Sequence, residues 1–140
     1  MKRMKPFISL IFLLLFILPG CSDSPDTTVQ EQKIVRYASV IMVKPEKLAE
    51  YKALHADPWP GIDRMIKACN IQNYSIYYRD GYLFSYFEYT GANFDEDMLK
   101  MAQDSLTQAW WELTDPCQIP IESAPEGVWW APMEEVYHLD

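Results

Sequence analysis

The sequence predicts an α+β domain whose elements follow the order β-α-β-β-α-β. Stretches rich in β-branched and aromatic residues alternate with apolar residues at helical spacing, and an Asp-Gly pair joins the two middle stretches into a hairpin. The chain can form one folded domain, because it has 140 residues and 49% of them are hydrophobic. Its formal net charge of −8 argues against a nucleic-acid-binding protein, which needs a basic surface for phosphates.

The first part of the domain contains a strand and two helical pieces. Residues 34–43 are mostly β-branched or aromatic, which is typical of a strand. Pro45 can begin a helix, because the N–H that proline lacks has no partner in the first turn of a helix. Apolar spacing then predicts a helix over 45–56. Residues 57–61 interrupt it with two prolines and a glycine, and a second helical piece follows over 62–69.

The middle of the domain is predicted to be a β-hairpin. Residues 71–78 and 82–89 both have the composition and alternation of strands. Asp80-Gly81 lies between them, and this pair strongly favours a tight hairpin turn.

The last part is predicted to contain a long helix and a final strand. Asn93 can cap the helix over 94–113, with a possible kink near Asp104, and Asp115-Pro116 ends it. A connection interrupted by prolines leads to the predicted last strand at 134–139.

Four strands with two helices on one face form a ferredoxin-like sandwich. Its outer sheet face remains uncovered unless a second copy packs against it. Strand aromatics such as Tyr77, Phe87 and Tyr89 are expected to fill that contact, which predicts a homodimer.

The first twenty residues differ from the rest of the chain. Three basic residues precede an apolar stretch from Phe7 to Leu18, which is too short to span a bilayer but fits a secretory signal peptide at 1–20. The end of this segment, with a small residue directly before Cys21, resembles the bacterial lipobox. That resemblance implies cleavage before Cys21, its acylation, and a lipoprotein anchored in the bacterial cell envelope by lipid alone. The alternative is an ordinary signal peptide or uncleaved anchor. Residues 21–33 form a polar tether, and 34–140 form the domain.

Cysteine and histidine usage suggests no metal site. Cys69 and Cys117 could form a disulfide in an oxidising compartment or remain as two buried thiols. His55 and His138 are the two histidines, and together with these cysteines they come from four separate elements. The sequence lacks CxxC, HExxH and GxSxG motifs, and no phosphate-binding loop is present.

Several aromatic residues are placed where they could bind a ligand. Tyr51 and His55 are four residues apart and project from one face of the predicted helix. Trp110 and Trp111 point about 100° apart on a helix, so both cannot face the core equally. Tyr74 shares a sheet face with Ile76 rather than with Tyr77. Aromatic rings with a few hydroxyls and one imidazole suit a sugar, whose C–H face stacks on rings; the alternative is an aromatic core and dimer interface.

The run from Tyr37 to His138 resembles the L-rhamnose mutarotase family. The matching residues are Glu50-Tyr51 with His55, Trp59-Pro60, Asn73-Tyr74-Ser75-Ile76-Tyr77, Trp110-Trp111 with Thr114-Asp115, and Trp130 to Leu139.

The resemblance implies a ferredoxin-like fold of the dimeric α/β-barrel type and the interconversion of the α and β pyranose anomers of L-rhamnose. By position, His55 matches the acid/base histidine of the family. Tyr51, Tyr74, Trp110 and Trp111 match its sugar-contacting residues. No cofactor or metal is implied, since ring opening and reclosure need only proton transfers.

Two features depart from the family pattern. Gly61 stands where an acidic residue often follows the Trp-Pro pair, and the lipoprotein leader is foreign to relatives expected in the cytoplasm. L-fucose or another 6-deoxy sugar is therefore an alternative substrate. A non-catalytic sugar-binding lipoprotein is the alternative that uses the same aromatic residues without His55 chemistry.

Overall fold

The computed structural model describes residues 33–139. The predicted signal peptide at 1–20, the lipidation site Cys21 and nearly all of the 21–33 tether lie outside the described residues. Within the described part, no helix is both long enough and apolar enough to cross a membrane.

One antiparallel sheet and four helices make up the described domain. The strands are β1 (Val35–Val43), β2 (Ile71–Arg79), β3 (Tyr82–Tyr89), β4 (Gln118–Ile119) and β5 (Ala131–Pro132), and the helices are α1 (Leu48–Ala56), α2 (Pro60–Ala68), α3 (Phe94–Gln103) and α4 (Ser105–Thr114). Short 3₁₀ turns at Pro45–Lys47 and Asp115–Cys117 precede α1 and follow α4.

The strand order confirms the ferredoxin-like prediction. The sheet runs β2-β3-β1-β4, and β5 also pairs with β1. Both short strands are antiparallel to β1, with Val43 opposite Gln118 and Ser39 opposite Pro132. The fourth position of the sheet is therefore shared by two short segments rather than filled by one strand.

The predicted last strand at 134–139 is wrong. Backbone pairing with β1 continues to Met133, whose N–H donates to the Ala38 carbonyl at 2.8 Å, and residues 134–139 then form no strand. Val136 is 89% exposed, which means that no other part of the described chain packs against the apolar side chains of this segment. Without that burial, little offsets the entropy cost of ordering the segment.

The local helix and turn signals are largely confirmed. Asp80 and Gly81 have φ values of 50° and 88°, as a type I′ hairpin turn requires. Asn93 accepts a hydrogen bond from the Glu96 N–H and caps α3. The long helix is broken completely at Asp104 rather than kinked, because the Asp104 carboxylate accepts from the N–H of residue 107 at 2.8 Å and starts α4. The helix α2 begins at Pro60, inside the segment predicted as an interruption.

The core lies between the sheet and α1. Ile41, Val43, Tyr51, Leu83 and Cys117 form one buried cluster. Full burial of a side chain of this size contributes about 1.5–3 kcal/mol each.

The prediction that Phe87 and Tyr89 lie at a dimer contact on the outer sheet face is wrong. Phe87 pairs with Tyr37, and both rings stack against Phe94 of α3, so Phe87 faces the helices. Tyr89 also faces them, with its ring perpendicular to that of Phe94. Because side chains alternate along a strand, Tyr77 belongs to the opposite, outer face, where it is 64% exposed.

Both cysteines of the domain are free thiols. Cys69 and Cys117 are buried and unpaired. The Cys69 Sγ lies 3.7 Å from the Met65 Sδ, and the Cys117 Sγ lies 3.6 Å from the Leu113 carbonyl oxygen.

Candidate active site

A cavity of about 700 Å³ lies between the helices and the sheet. This volume is in the range of small-molecule sites. All five residues singled out from the sequence line it, and they come from α1, β2 and α4: Tyr51, His55, Tyr74, Trp110 and Trp111. The structure therefore brings the predicted site residues of the domain together, whereas Cys21 lies outside the described part.

The imidazole of His55 is held in a defined tautomer. Its Nδ1 lies 2.9 Å from the backbone carbonyl oxygen of Tyr51, one helical turn earlier. Because a carbonyl can only accept, Nδ1 carries the proton of the neutral ring and Nε2 keeps a free lone pair. The ring stacks on the Tyr51 ring at 4.1 Å between centroids and meets the Trp110 ring edge-on at 5.5 Å.

Burial favours the neutral form of this histidine. Desolvation lowers the pKa of His55 below its ordinary value of 6.5, and the Tyr51 carbonyl only partly opposes the shift. Near neutral pH, the side chain therefore presents Nε2 as a proton acceptor.

The Tyr51 hydroxyl is a buried group without a hydrogen-bond partner among the described residues. Burial raises the pKa of this hydroxyl, and the neighbouring Gln118 side chain opposes the shift without completing a bond. An orphaned buried hydroxyl destabilises a fold by about 1–3 kcal/mol, so it calls for a functional explanation.

The two consecutive tryptophans occupy different environments, as their 100° separation predicts. Trp110 is 6% exposed and packs edge-on against Trp59, at 5.5 Å between centroids. Trp111 is 37% exposed, yet it also lines the cavity. Trp110 thus forms a fixed wall behind His55, and Trp111 is available to cover a ligand.

Tyr74 reaches the same cavity from the irregular part of β2. The pairing of β2 with β3 shifts between Gln72 and Ser75, and Asn73 has a φ of 50°. This irregularity leaves Tyr74 edge-on to Phe87 on the helix side of the sheet, at 5.7 Å between centroids. Although 44% of the side chain is exposed, desolvation of the hydroxyl raises its pKa to about 12, and the group is a neutral donor at pH 7.

Polar groups on the sheet complete the cavity, and the sequence analysis did not single them out. The hydroxyls of Ser39 and Ser85 lie 2.6 Å apart across β1 and β3. Gln118 is buried at the opposite side of β1, and Trp129 and Trp130 line the cavity from the segment before β5. One signal for these groups is present in the sequence. Ser39 is a polar residue on the otherwise apolar, helix-facing side of β1.

The described residues offer no metal site. Within 33–139, no three His, Cys, Asp or Glu side chains come together in a way that could hold a metal ion. His138 lies in the exposed terminal segment and does not line this cavity.

Gly61, where the chain departs from the family pattern, lies against a side chain of α4. A Cβ added at this position would lie 2.0 Å from the Leu106 Cδ2 of α4, so α2 and α4 approach closely there. A side chain at residue 61 would require the Leu106 side chain, which is 38% exposed, to turn away.

The sequence profile of L-rhamnose mutarotases matches residues 36–139. The chain belongs to the L-rhamnose mutarotase family. The L-rhamnose mutarotase of Bacillus subtilis is 32% identical over 108 residues, covering 75% of this chain and 98% of that protein. The L-rhamnose mutarotase of Bacteroides thetaiotaomicron is 27% identical over the same shares of the two chains.

Solved structures confirm the fold of this mutarotase family member. An L-rhamnose mutarotase from Formosa agariphila superposes with a TM-score of 0.60 at 19% identity, covering 76% of this chain and 99% of that one. Tetracenomycin F2 cyclase from Streptomyces glaucescens superposes with a TM-score of 0.58 at 14% identity, covering 76% and 97%. At these identities, the likeness concerns the fold alone.

Proposed function

We propose that this chain is an isomerase that interconverts the α and β pyranose anomers of L-rhamnose in the 700 Å³ cavity, with His55 as the acid/base. Family membership supports the reaction. The observation that carries the assignment of His55 is its tautomer: Nδ1 is bound to the Tyr51 carbonyl, and Nε2 is left free in an aromatic cavity.

Ring opening needs two proton transfers and the cleavage of one bond, and ring closure reverses them. The His55 Nε2 accepts the proton of the anomeric hydroxyl as the C1–O1 carbonyl forms and the C1–O5 bond breaks. The imidazolium, whose Nδ1–H is held by the Tyr51 carbonyl at 2.9 Å, then gives that proton to O5. Rotation about C1–C2 presents the other face of the aldehyde, and the reverse transfers close the ring. One positioned acid/base contributes about 10²–10⁴-fold to the rate.

The surrounding residues suit a 6-deoxy sugar. Trp110 and Trp111 offer flat surfaces for the C–H face of the ring, and Tyr74 offers a neutral hydroxyl donor. Tyr51 supports His55 by stacking, and its orphaned hydroxyl would gain a partner when a sugar hydroxyl and Gln118 rearrange around it.

The reaction and its substrate can be tested by anomer exchange. The chain is added to equilibrated L-rhamnose, with L-fucose in parallel, and magnetisation transfer between the α and β H1 signals is measured by NMR. Exchange of L-rhamnose well above the buffer rate is expected. Faster exchange of L-fucose would make that sugar the substrate, and binding without faster exchange of either sugar would identify a sugar-binding protein instead.

A homodimer is the assembly we propose for the domain. The outer sheet face presents exposed aromatic side chains at Tyr77 and Tyr82, and the terminal segment leaves Val136, Tyr137 and Leu139 exposed. Apolar groups on one side of a sheet are normally covered by another layer. Light scattering of the chain from residue 33 onward should give twice the monomer mass, and a monomer mass would contradict the assembly.

We also propose that the chain is a lipoprotein of the bacterial cell envelope. The apolar segment before Cys21 and the small residue preceding it support this localisation. In bacteria grown with labelled palmitate, the wild-type chain should incorporate label and Cys21→Ser should not. Equal labelling, or an intact N-terminal peptide by mass spectrometry, would refute the anchor.

A further inference from the structure

Asp115 is a half-buried carboxylate that lines the cavity beside Trp111 and Thr114. Within residues 33–139, no side chain or N–H donates a hydrogen bond to its carboxylate, and no Lys or Arg lines the cavity. Burial raises the pKa of Asp115 above its ordinary value, with no positive charge to offset the effect. The fold thus retains an acceptor group that it does not itself satisfy.

Hydrogen bonds hold the turn that carries this carboxylate. The Asp115 N–H donates to the Trp111 carbonyl, and the Gln118 N–H donates to the Asp115 carbonyl. The Lys44 ammonium donates to the carbonyl of the next residue, Pro116, at 2.7 Å. Three bonds around the turn therefore hold the backbone from which the Asp115 side chain projects before any ligand arrives.

The occupant of this position has to supply hydrogen-bond donors. A carboxylate is acceptor-only and can accept from two groups at once. A metal ion is not suited, because no three His, Cys, Asp or Glu side chains come together among the described residues. Neighbouring hydroxyls of a pyranose can supply two such donors, and the aromatic side chains that line the same cavity suit the sugar ring.

Asp115 also acts independently of the acid/base. The His55 ring is held by the Tyr51 carbonyl, 2.9 Å from Nδ1, and among the described residues no hydrogen bond joins the Asp115 carboxylate to this ring. The carboxylate therefore does not orient the imidazole or share its proton.

We infer that Asp115 binds two neighbouring ring hydroxyls of the sugar and selects substrates by the presence of those hydroxyls. This inference rests on the proposed mutarotase function. Hydrogen bonds to a charged group are stronger than those between neutral groups, so Asp115→Asn should raise the KM for L-rhamnose about 5- to 100-fold. The kcat should remain within about threefold, because the interaction holds the ground state and the transition state alike.

The test compares wild type, Asp115→Asn and Asp115→Glu on L-rhamnose and its 2-, 3- and 4-deoxy analogues. On an analogue that lacks one of the two bound hydroxyls, the KM ratio of Asp115→Asn to wild type should be smaller than on L-rhamnose, because only one hydrogen bond remains to be weakened. Asp115→Glu should also lose affinity, since its carboxylate is displaced by one methylene. Glu112→Gln, an exposed change on α4, is the matched control and should leave KM unchanged.

The outcomes separate this inference from the proposed function. An active wild type whose KM for L-rhamnose changes less than twofold in Asp115→Asn overturns the role of Asp115 alone, as does an equal loss on all four sugars. If the wild type binds L-rhamnose without turnover, the same ratios are expected in Kd from NMR titration. A wild type that neither binds nor turns over L-rhamnose overturns both. Melting temperatures confirm that each variant is folded.

Discussion

Tyr51→Phe should make the protein more stable and less active. The hydroxyl removed by this change is buried and has no partner among the described residues, whereas the ring that stacks on His55 is kept. Leaving such a group unsatisfied costs about 1–3 kcal/mol, so the free energy of unfolding should rise by about 1 kcal/mol or more. In a domain of this size, that change raises Tm by about 4 °C or more. If the hydroxyl bonds the sugar, kcat/KM should fall about 2- to 10-fold.

Urea denaturation and NMR anomer exchange on the same samples check both halves of this prediction. Tyr78→Phe is the matched control, because Tyr78 is an exposed strand tyrosine, and it should change stability by less than about 0.5 kcal/mol. A Tyr51→Phe variant that is less stable than wild type would mean that the hydroxyl is satisfied in the folded state. A variant with unchanged kcat/KM would restrict Tyr51 to stacking on His55.

Three further outcomes follow from the geometry. Because burial lowers the pKa of His55, kcat/KM should fall toward acid pH with a midpoint below 6.5; a midpoint above 6.5 in the NMR pH profile would contradict this. Gly61→Ala should change the free energy of urea unfolding by no more than about 1 kcal/mol, because the added Cβ would lie 2.0 Å from the end of the Leu106 side chain, which is 38% exposed and can turn away; a loss above about 2 kcal/mol that Leu106→Ala relieves would contradict this. Asp104→Ala should lower the unfolding free energy by about 1 kcal/mol through loss of the α4 cap, and Asp104→Asn should retain most of it; equal thermal stability of all three proteins would argue against the cap.

The elements with local signals could be predicted from the sequence. The hairpin follows from Asp80-Gly81, since both residues must adopt positive φ, and the start of α3 follows from the Asn93 cap. The pair Tyr51 and His55 could be placed on one face because helical spacing alone decides it.

Elements that depend on tertiary context could not be predicted. The strands Gln118–Ile119 and Ala131–Pro132 have two residues each, too few to show a period, and they exist because the edge of β1 is open to both. The helical spacing of apolar residues continues across Asp104, and this spacing predicts one helix. The break depends instead on the hydrogen bond that the Asp104 carboxylate accepts at the start of α4. Ser39 and Gln118 meet the cavity through the sheet register, which the sequence does not specify.

Loss of exchange on removing the Nε2 atom of His55 is the most direct test of the account. In His55→Asn, the amide nitrogen can still donate to the Tyr51 carbonyl, which Nδ1 approaches at 2.9 Å, but no acceptor remains at the Nε2 position. NMR anomer exchange of L-rhamnose should fall about 10²–10⁴-fold relative to wild type while sugar binding and Tm are retained. Wild-type exchange in His55→Asn, with the sugar bound, would show that another group carries the proton transfers.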